Sequence, residues 1–510
     1  MTANTMPSKH AALPKFTRRG ALSLAPLLAG ASSLTAFAQD ASKLLTGAPA
    51  DSVTRHRYKF GGADAAFTVT AGTLPMIDAK GERLAWMFYV AYTRDGAAKE
   101  ARPITFAFNG GPGASSAYLH LGTMGPRVVS FGDEQQFRSP ARLIDNPDSW
   151  LDLTDLVFVD PIGTSYSRTV AATEDANKRY WNVNGDVQSL AAFVDLYLAR
   201  NGRQGSPKYI VGESYGGFRA AGLAHLLSAE HGIAVSGLFM VSPVIEFSLI
   251  THDPMSVLPD ALLLPSYAAV ALERKAPTTA AALTEVERFA LGPYLSALSA
   301  SPPVEADVKA TYARVAGFTG LPEPLVARFG GRVPAEVFVR EIRRSDQQLA
   351  SYYDGTLGAP DPSPTSETSH GDPTAESLRT ALGSAMADYL HGALGVRTDI
   401  PYVIQSNEVA RRWDWWSGLT ISGGYVGAAK QLREALAGNP ALKLMVAHGM
   451  TDLVTPYLAS RYLLDHLPPK VSADRVTLNL YNGGHMMYLR AASRSRLRAD
   501  AAKMYPPPGK

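Results

Sequence analysis

The chain has 510 residues, 46% of them hydrophobic and 19% charged, with a formal net charge of +3. That near-neutral balance, without a basic stripe, speaks against nucleic acid as a partner. Cysteine is absent (Cys 0), which excludes disulfides, thiolate metal sites and a cysteine nucleophile, so a core of ample size has to supply the stability.

The first segment, 1–38, differs from the rest. Lys15, Arg18 and Arg19 precede a weakly apolar run that ends in Ala36-Phe37-Ala38. A basic head, apolar middle and A-x-A exit predict a removable export signal, and the paired arginines fit the twin-arginine type. The mature chain is then expected to begin near Gln39 in the periplasm or to be released. No later apolar run is long enough to span a bilayer, so no stable membrane insertion is expected after signal removal.

From about 56 to 108 the runs "AAFTVTAGTLPMI", "RLAWMFYVAYT" and "PITFAFNGG" read as strands separated by turn signals, which suggests an antiparallel opening to a sheet. From "DLVFVD" onward, short β-branched runs alternate with longer helical stretches, the pattern of a parallel α/β sheet. Between roughly 247 and 400 the strands give way to helical periods and a polar, proline-rich loop, "GAPDPSPTSETSHGDPT". The expected organisation is a core over 39–246, a mostly helical insertion over 247–400 and a second core part over 401–510.

The stretch "YIVGESYGG" places Ser214 between glycines, after a strand and before a helix, the arrangement that lifts a nucleophilic hydroxyl above the carboxyl edge of a sheet. A serine there needs a base and an orienting carboxylate, expected in the order Ser, Asp, His at later strand ends. Asp452 follows "LKLMVAHGMT" and His485 follows "RVTLNLYNGG". Singly, Asp452 reads equally well as a helix cap and His485 as a turn histidine; the order and placement of the three together argue for a triad. The amide of Tyr215 is one expected donor to an oxyanion, and the glycine-rich loop "NGGPG" after the strand ending at Phe108 supplies the other. Pro112 and the lack of a following Lys-Ser/Thr pair make a phosphate cradle a poor reading. No H-E-x-x-H pattern is present, and neither a metal nor a cofactor is called for. The aromatic and basic run "RRWDWW" (Arg411 to Trp416) reads as packing rather than as a binding platform.

With "NGGPGASS", "DLVFVDPIGTSYS", "GESYGG", "HGMTDLVTPY" and "GGHMMY", the sequence resembles the serine carboxypeptidase family, as an exported bacterial member. The resemblance implies an α/β-hydrolase fold with a central, mostly parallel sheet and a helical cap. It implies Ser214 as nucleophile, His485 as base and then acid, Asp452 as its orienter, and Gly111 and Tyr215 as oxyanion donors. Asn109, Gly110 and Glu213 match positions that hold the substrate's terminal carboxylate, so peptides with a free C-terminus are the implied substrates. An ionised Glu213 would repel that carboxylate and a protonated one can donate to it, which implies an acid optimum. The chain departs from the family at Ala114, where cysteine is usual, and at Thr123, where a second glutamate is common. The competing expectations are an acyltransferase or esterase built on the same acyl-enzyme, and a non-catalytic binding protein on the same scaffold.

Overall fold

The computed structural model describes residues 47–506 apart from 61–62, 132–136, 138–139, 370, 418–419 and 423–424. The export signal expected over 1–38 lies outside the described residues.

Three antiparallel strands open the main sheet: β1 (Ser52–Phe60), β2 (Ala63–Ile77) and β3 (Arg83–Arg94). Six more follow: β4 (Ile104–Phe108), β5 (Asp155–Val159), β6 (Lys208–Glu213), β7 (Gly237–Val241), β8 (Lys443–Gly449) and β9 (Val476–Tyr481). Their spatial order is β1-β2-β3-β5-β4-β6-β7-β8-β9. The pairing from β5 to β9 is parallel throughout, and β3 meets β5 antiparallel. The run "PITFAF" therefore opens the parallel part of the sheet rather than closing the antiparallel one. All five residues of β4 are buried. A strand covered on both faces reads as a continuous apolar run, and such a run carries no sign of its direction.

The two-residue period sorts these strands into two cores. Phe106, Phe108, Ile210, Leu238, Met240, Leu444 and Val446 face one side, while Ala107, Val211, Phe239, Val241, Met445 and Ala447 face the other. The covering helices are α1 (Val183–Asn201), α2 (Tyr215–His231), α3 (Leu258–Glu273), α4 (Glu305–Thr319), α5 (Pro373–Gly392), α6 (Ala429–Gly438), α7 (Tyr457–Asp465) and α8 (Ala491–Ala502). Helices α1, α2 and α6 pack on the first face, and α5 and α8 on the second. At roughly 1.5–3 kcal/mol for each large apolar side chain buried, these two layers fix the sheet that carries the site. Helix α1 starts where the Asn182 side chain accepts the Gly185 amide at 2.7 Å and stops at left-handed Gly202, a side-chain N-cap and a glycine C-cap.

Between Val241 and Lys443 the chain adds no strand to the main sheet. Helix α3 packs against α7 in a third apolar cluster, through Leu262, Tyr267, Tyr457 and Leu458. A short ladder, Gln348–Ala350 with Gly358–Pro360, lies within the region read as helical. Three-residue strands leave too short a pattern to be read as strands. Among the described residues no helix is long and apolar enough to cross a membrane.

Candidate active site

Strand β6 runs into α2 through Ser214, whose backbone sits at φ 60°, ψ −124°, a conformation that most side chains avoid. The turn is tight enough to need glycine on both sides. A Cβ on Gly212 would lie 1.9 Å from the Gly216 carbonyl oxygen, and one on Gly216 would lie 2.5 Å from that of Phe108. The Ser214 amide donates to Val241 at 3.0 Å, tying the turn to β7. Ser214, Glu213, Asn109, Gly110, Gly111 and His485 all line one cavity of about 330 Å³.

Asp452 follows β8 and His485 follows β9, so adjacent parallel strands deliver both to the same edge of the sheet. His485 Nδ1 donates to Asp452 Oδ2 at 2.8 Å. Asp452 is fully buried and also accepts from the amides of Val454 (2.8 Å) and Thr455 (3.0 Å) and from the Thr455 hydroxyl (2.7 Å). The two readings of Asp452 therefore coexist: it organises its own turn and holds the histidine. Fixing the proton on Nδ1 leaves Nε2 as the basic nitrogen. Burial pulls the imidazole's pKa down, but the charge and hydrogen bond of Asp452, with the charge of Glu213, leave it above its ordinary value.

The loop after β4 is pinned from beneath. Arg219, fully buried on α2, forks onto Asp186 of α1 at 2.7 and 3.1 Å. Its remaining nitrogen donates to the carbonyls of Asn109 and, at 3.2 Å, Gly110. Gly110 lies so close to the elbow that a Cβ would come 2.5 Å from the Tyr215 amide nitrogen. Farther along, the amide and hydroxyl of Ser116 both donate to Asp160 Oδ1 at 2.7 Å. The loop is thus held by charge-assisted bonds at each end, as a preorganised donor site requires.

Glu213 is 3% exposed. Its Oε2 accepts from Asn109 Nδ2 at 3.0 Å and from the Tyr488 hydroxyl at 2.7 Å. Burial pushes its carboxyl up to about 7, while the His485 charge and those two hydrogen bonds pull the other way. A carboxyl group in that range is available in its protonated, donating form at weakly acid pH.

Several contributors carried no individual signal in the sequence. Tyr488 lay within "GGHMMY", and only the fold turns it toward Glu213. Tyr353 stacks edge-on against His485 at 5.2 Å, and its carbonyl accepts the His485 amide at 2.5 Å. Its neighbours hold the Asp452 turn: the Leu453 amide donates to Tyr352, the Gly355 amide to Thr451, and the Thr451 hydroxyl to Asp354. Of the run "RRWDWW", Trp413 and Trp415 pack edge-on against Tyr215 at 5.7 and 5.6 Å, while Trp416 is 65% exposed. Ala114 lines the cavity. Thr123 is fully buried in the helical turn His120–Met124 and is not among the cavity's lining residues, and its hydroxyl has no partner among the described residues. The described residues hold no group of three or more histidines and acids placed to bind a metal.

Residues 63–245 match the serine carboxypeptidase family. The match takes in the "NGGPG" loop and the Ser214 elbow and ends before Asp452 and His485. A probable serine carboxypeptidase of Arthroderma benhamiae is 30% identical over 171 residues, 31% of this chain and 29% of that protein. Serine carboxypeptidase-like 40 of Arabidopsis thaliana is 31% identical over 148 residues, 28% of this chain and 27% of that protein. The chain thus spans less than a third of the length of these curated relatives. Among solved structures, Kex1(delta)p, a prohormone-processing carboxypeptidase from Saccharomyces cerevisiae, aligns over 86% of this chain and 91% of its own, with a TM-score of 0.52 and 16% identity. At that identity the likeness bears on fold alone, and the fold is that of the α/β hydrolases, as expected.

Proposed function

We propose that this chain is a serine carboxypeptidase that releases C-terminal residues from peptides. The observation that carries the reading is a protonatable carboxyl, Glu213, held beside the nucleophile in the cavity that also receives the Asp452-bound His485. In this mechanism Ser214 Oγ attacks the scissile carbonyl while His485 Nε2 takes its proton. The amides of Gly111 and Tyr215 stabilise the oxyanion. His485 then returns the proton to the leaving amine, and water, deprotonated by the same nitrogen, hydrolyses the acyl-enzyme. Asn109, Gly110 and protonated Glu213 receive the free carboxylate of the departing residue, and the helical segment 247–400 serves as a cap. Export to the periplasm of a bacterial cell is part of the proposal, supported by Arg18-Arg19 and the Ala36-Phe37-Ala38 exit.

The test is hydrolysis of a blocked dipeptide and its C-terminally amidated twin from pH 4 to 8, with Ser214→Ala as control. A preference for the free acid that strengthens as pH falls, and is lost in the Ser214 variant, is expected. Equal or faster cleavage of the amide and of an ester would replace the peptidase reading with an esterase or acyltransferase, a reading that the burial of Thr123 outside the cavity would then favour.

A further inference from the structure

One wall of the active-site cavity comes from the start of α5, where Asp372, Ala375, Glu376 and Arg379 line it at the three- and four-residue spacing of one helix face. The acids and the base on this face are not equivalent. Asp372 is fully engaged: its Oδ1 accepts the Ala375 amide, and its Oδ2 accepts the Ser351 hydroxyl and the Tyr352 amide, all within 2.9 Å. Glu376 is exposed. Arg379 is half-buried, and no carboxylate among the described residues lies within ion-pairing distance of it. Buried arginines are spent on acids, Arg102 and Arg203 on Asp155, Arg219 on Asp186 and Arg494 on Asp148, and half-buried Arg168 and Arg475 donate to backbone carbonyls. A half-buried guanidinium lining a substrate cavity without an internal acid has its fork available for an anion from outside.

Its position relative to Glu213 narrows which anion. Tyr118 and Tyr353 line the same cavity. Burial raises the pKa of both phenols, the charge of Glu213 adds to that rise and the charge of Arg379 opposes it, so both groups sit within electrostatic range of the same two rings. The carboxylate that Glu213 is proposed to receive therefore enters the field of Arg379 as well. Thr123, where the resemblance led one to look for a second acid, is buried in its own turn and takes no part in the lining.

We propose that Arg379 is a binding residue for the substrate's terminal carboxylate, resting on the peptidase reading above, and that it supplies the positive countercharge that a neutral, donating Glu213 cannot. Protonated Glu213 donates one hydrogen bond, and Arg379 supplies the charge. The arrangement has a consequence for pH. Glu213 loses its donor as pH rises through about 7, whereas a guanidinium stays charged throughout. Recognition of the free carboxylate then persists into the neutral range, resting increasingly on Arg379.

The test compares wild type, Arg379→Gln and Arg379→Lys, using kcat/KM for a blocked dipeptide acid and its amide at pH 5.5 and 7.5. A second substrate pair carries Glu or Gln as the penultimate residue. Fluorophosphonate labelling of Ser214 confirms that each variant is folded. The expected result is that Arg379→Gln lowers the acid-to-amide selectivity at least about tenfold at pH 7.5, the worth of a charge-assisted bond. The loss is smaller at pH 5.5, and lysine restores part of it. Unchanged selectivity in Arg379→Gln overturns the proposal while leaving the peptidase reading intact. A loss that follows the Glu/Gln pair rather than the acid/amide pair also overturns it, assigning Arg379 to an acidic side chain instead. A wild type without preference for the acid overturns the peptidase reading and this inference together.

Discussion

Glu213 shows what a functional carboxyl costs the residue that carries it. Its folded pKa of about 7 lies above the ordinary glutamate value of about 4.3. Across that window the folded chain holds a proton that the unfolded chain has released. Stability therefore falls as pH rises from one value to the other, by about 4 kcal/mol in all. Glu213→Gln removes the titration while keeping the shape and an acceptor for Tyr488. Urea denaturation is expected to find this variant stabilised relative to wild type by about 1–3 kcal/mol more at pH 8 than at pH 5. An equal effect at both pH values would mean that the burial cost is absent. The same group sets the alkaline limit of its own donor role, while the raised His485 sets an acid limit, since the base form is lost as pH falls through its pKa. The two limits lie close together and bracket an optimum near neutral pH.

The elbow and the loop beside it were unequally visible in the sequence. Gly212 and Gly216 are required by contacts with the Gly216 and Phe108 carbonyls, and a steric requirement that absolute leaves a fixed spelling. The strand ends that carry Asp452 and His485 were legible because β8 is a buried run and β9 ends in buried Leu480 and Tyr481, each followed by a turn. The direction of β4 was not, since a strand covered on both faces has no alternation to betray its neighbours. Nor was the support beneath the loop. Arg219 and Asp186 lie on different helices, and neither residue type nor spacing announces their bond. Tyr353 and Arg379 reach the cavity from segments that share no local pattern with it. Asp186→Asn tests the support directly. Removing the acid leaves a buried guanidinium without its partner, and a loss of about 3 kcal/mol in folding stability is expected. Because Arg219 also holds the carbonyls of Asn109 and Gly110, acylation should slow by about tenfold or more. Pre-steady-state bursts with a nitrophenyl ester, run below the unfolding transition, would reveal it. An unchanged burst rate would show that the loop holds its shape without the ion pair.

Across the whole molecule, the sheet is built largely of continuous apolar strands and closed by helices on both faces. The site is finished by residues 351–357, which reach it from outside the sheet. Forming the sheet buries most of the apolar surface; docking this segment adds a few hydrogen bonds between residues distant in sequence. Contacts of that kind form late, because loop closure has to precede them. In refolding from urea, far-UV circular dichroism should therefore recover before fluorophosphonate reactivity. Simultaneous recovery would show that the segment docks with the core.

The Tyr353 clamp has one more consequence, for the life of the chain before it is finished. Until Tyr353 meets the His485 amide and Tyr352 meets Leu453, the imidazole and its carboxylate lack two of the contacts that hold them in register. A half-folded chain carries a serine at the elbow but no tuned base to arm it. On the proposed peptidase reading, catalytic competence waits on this docking, so a chain still being assembled would not digest its neighbours or its own unfinished copies.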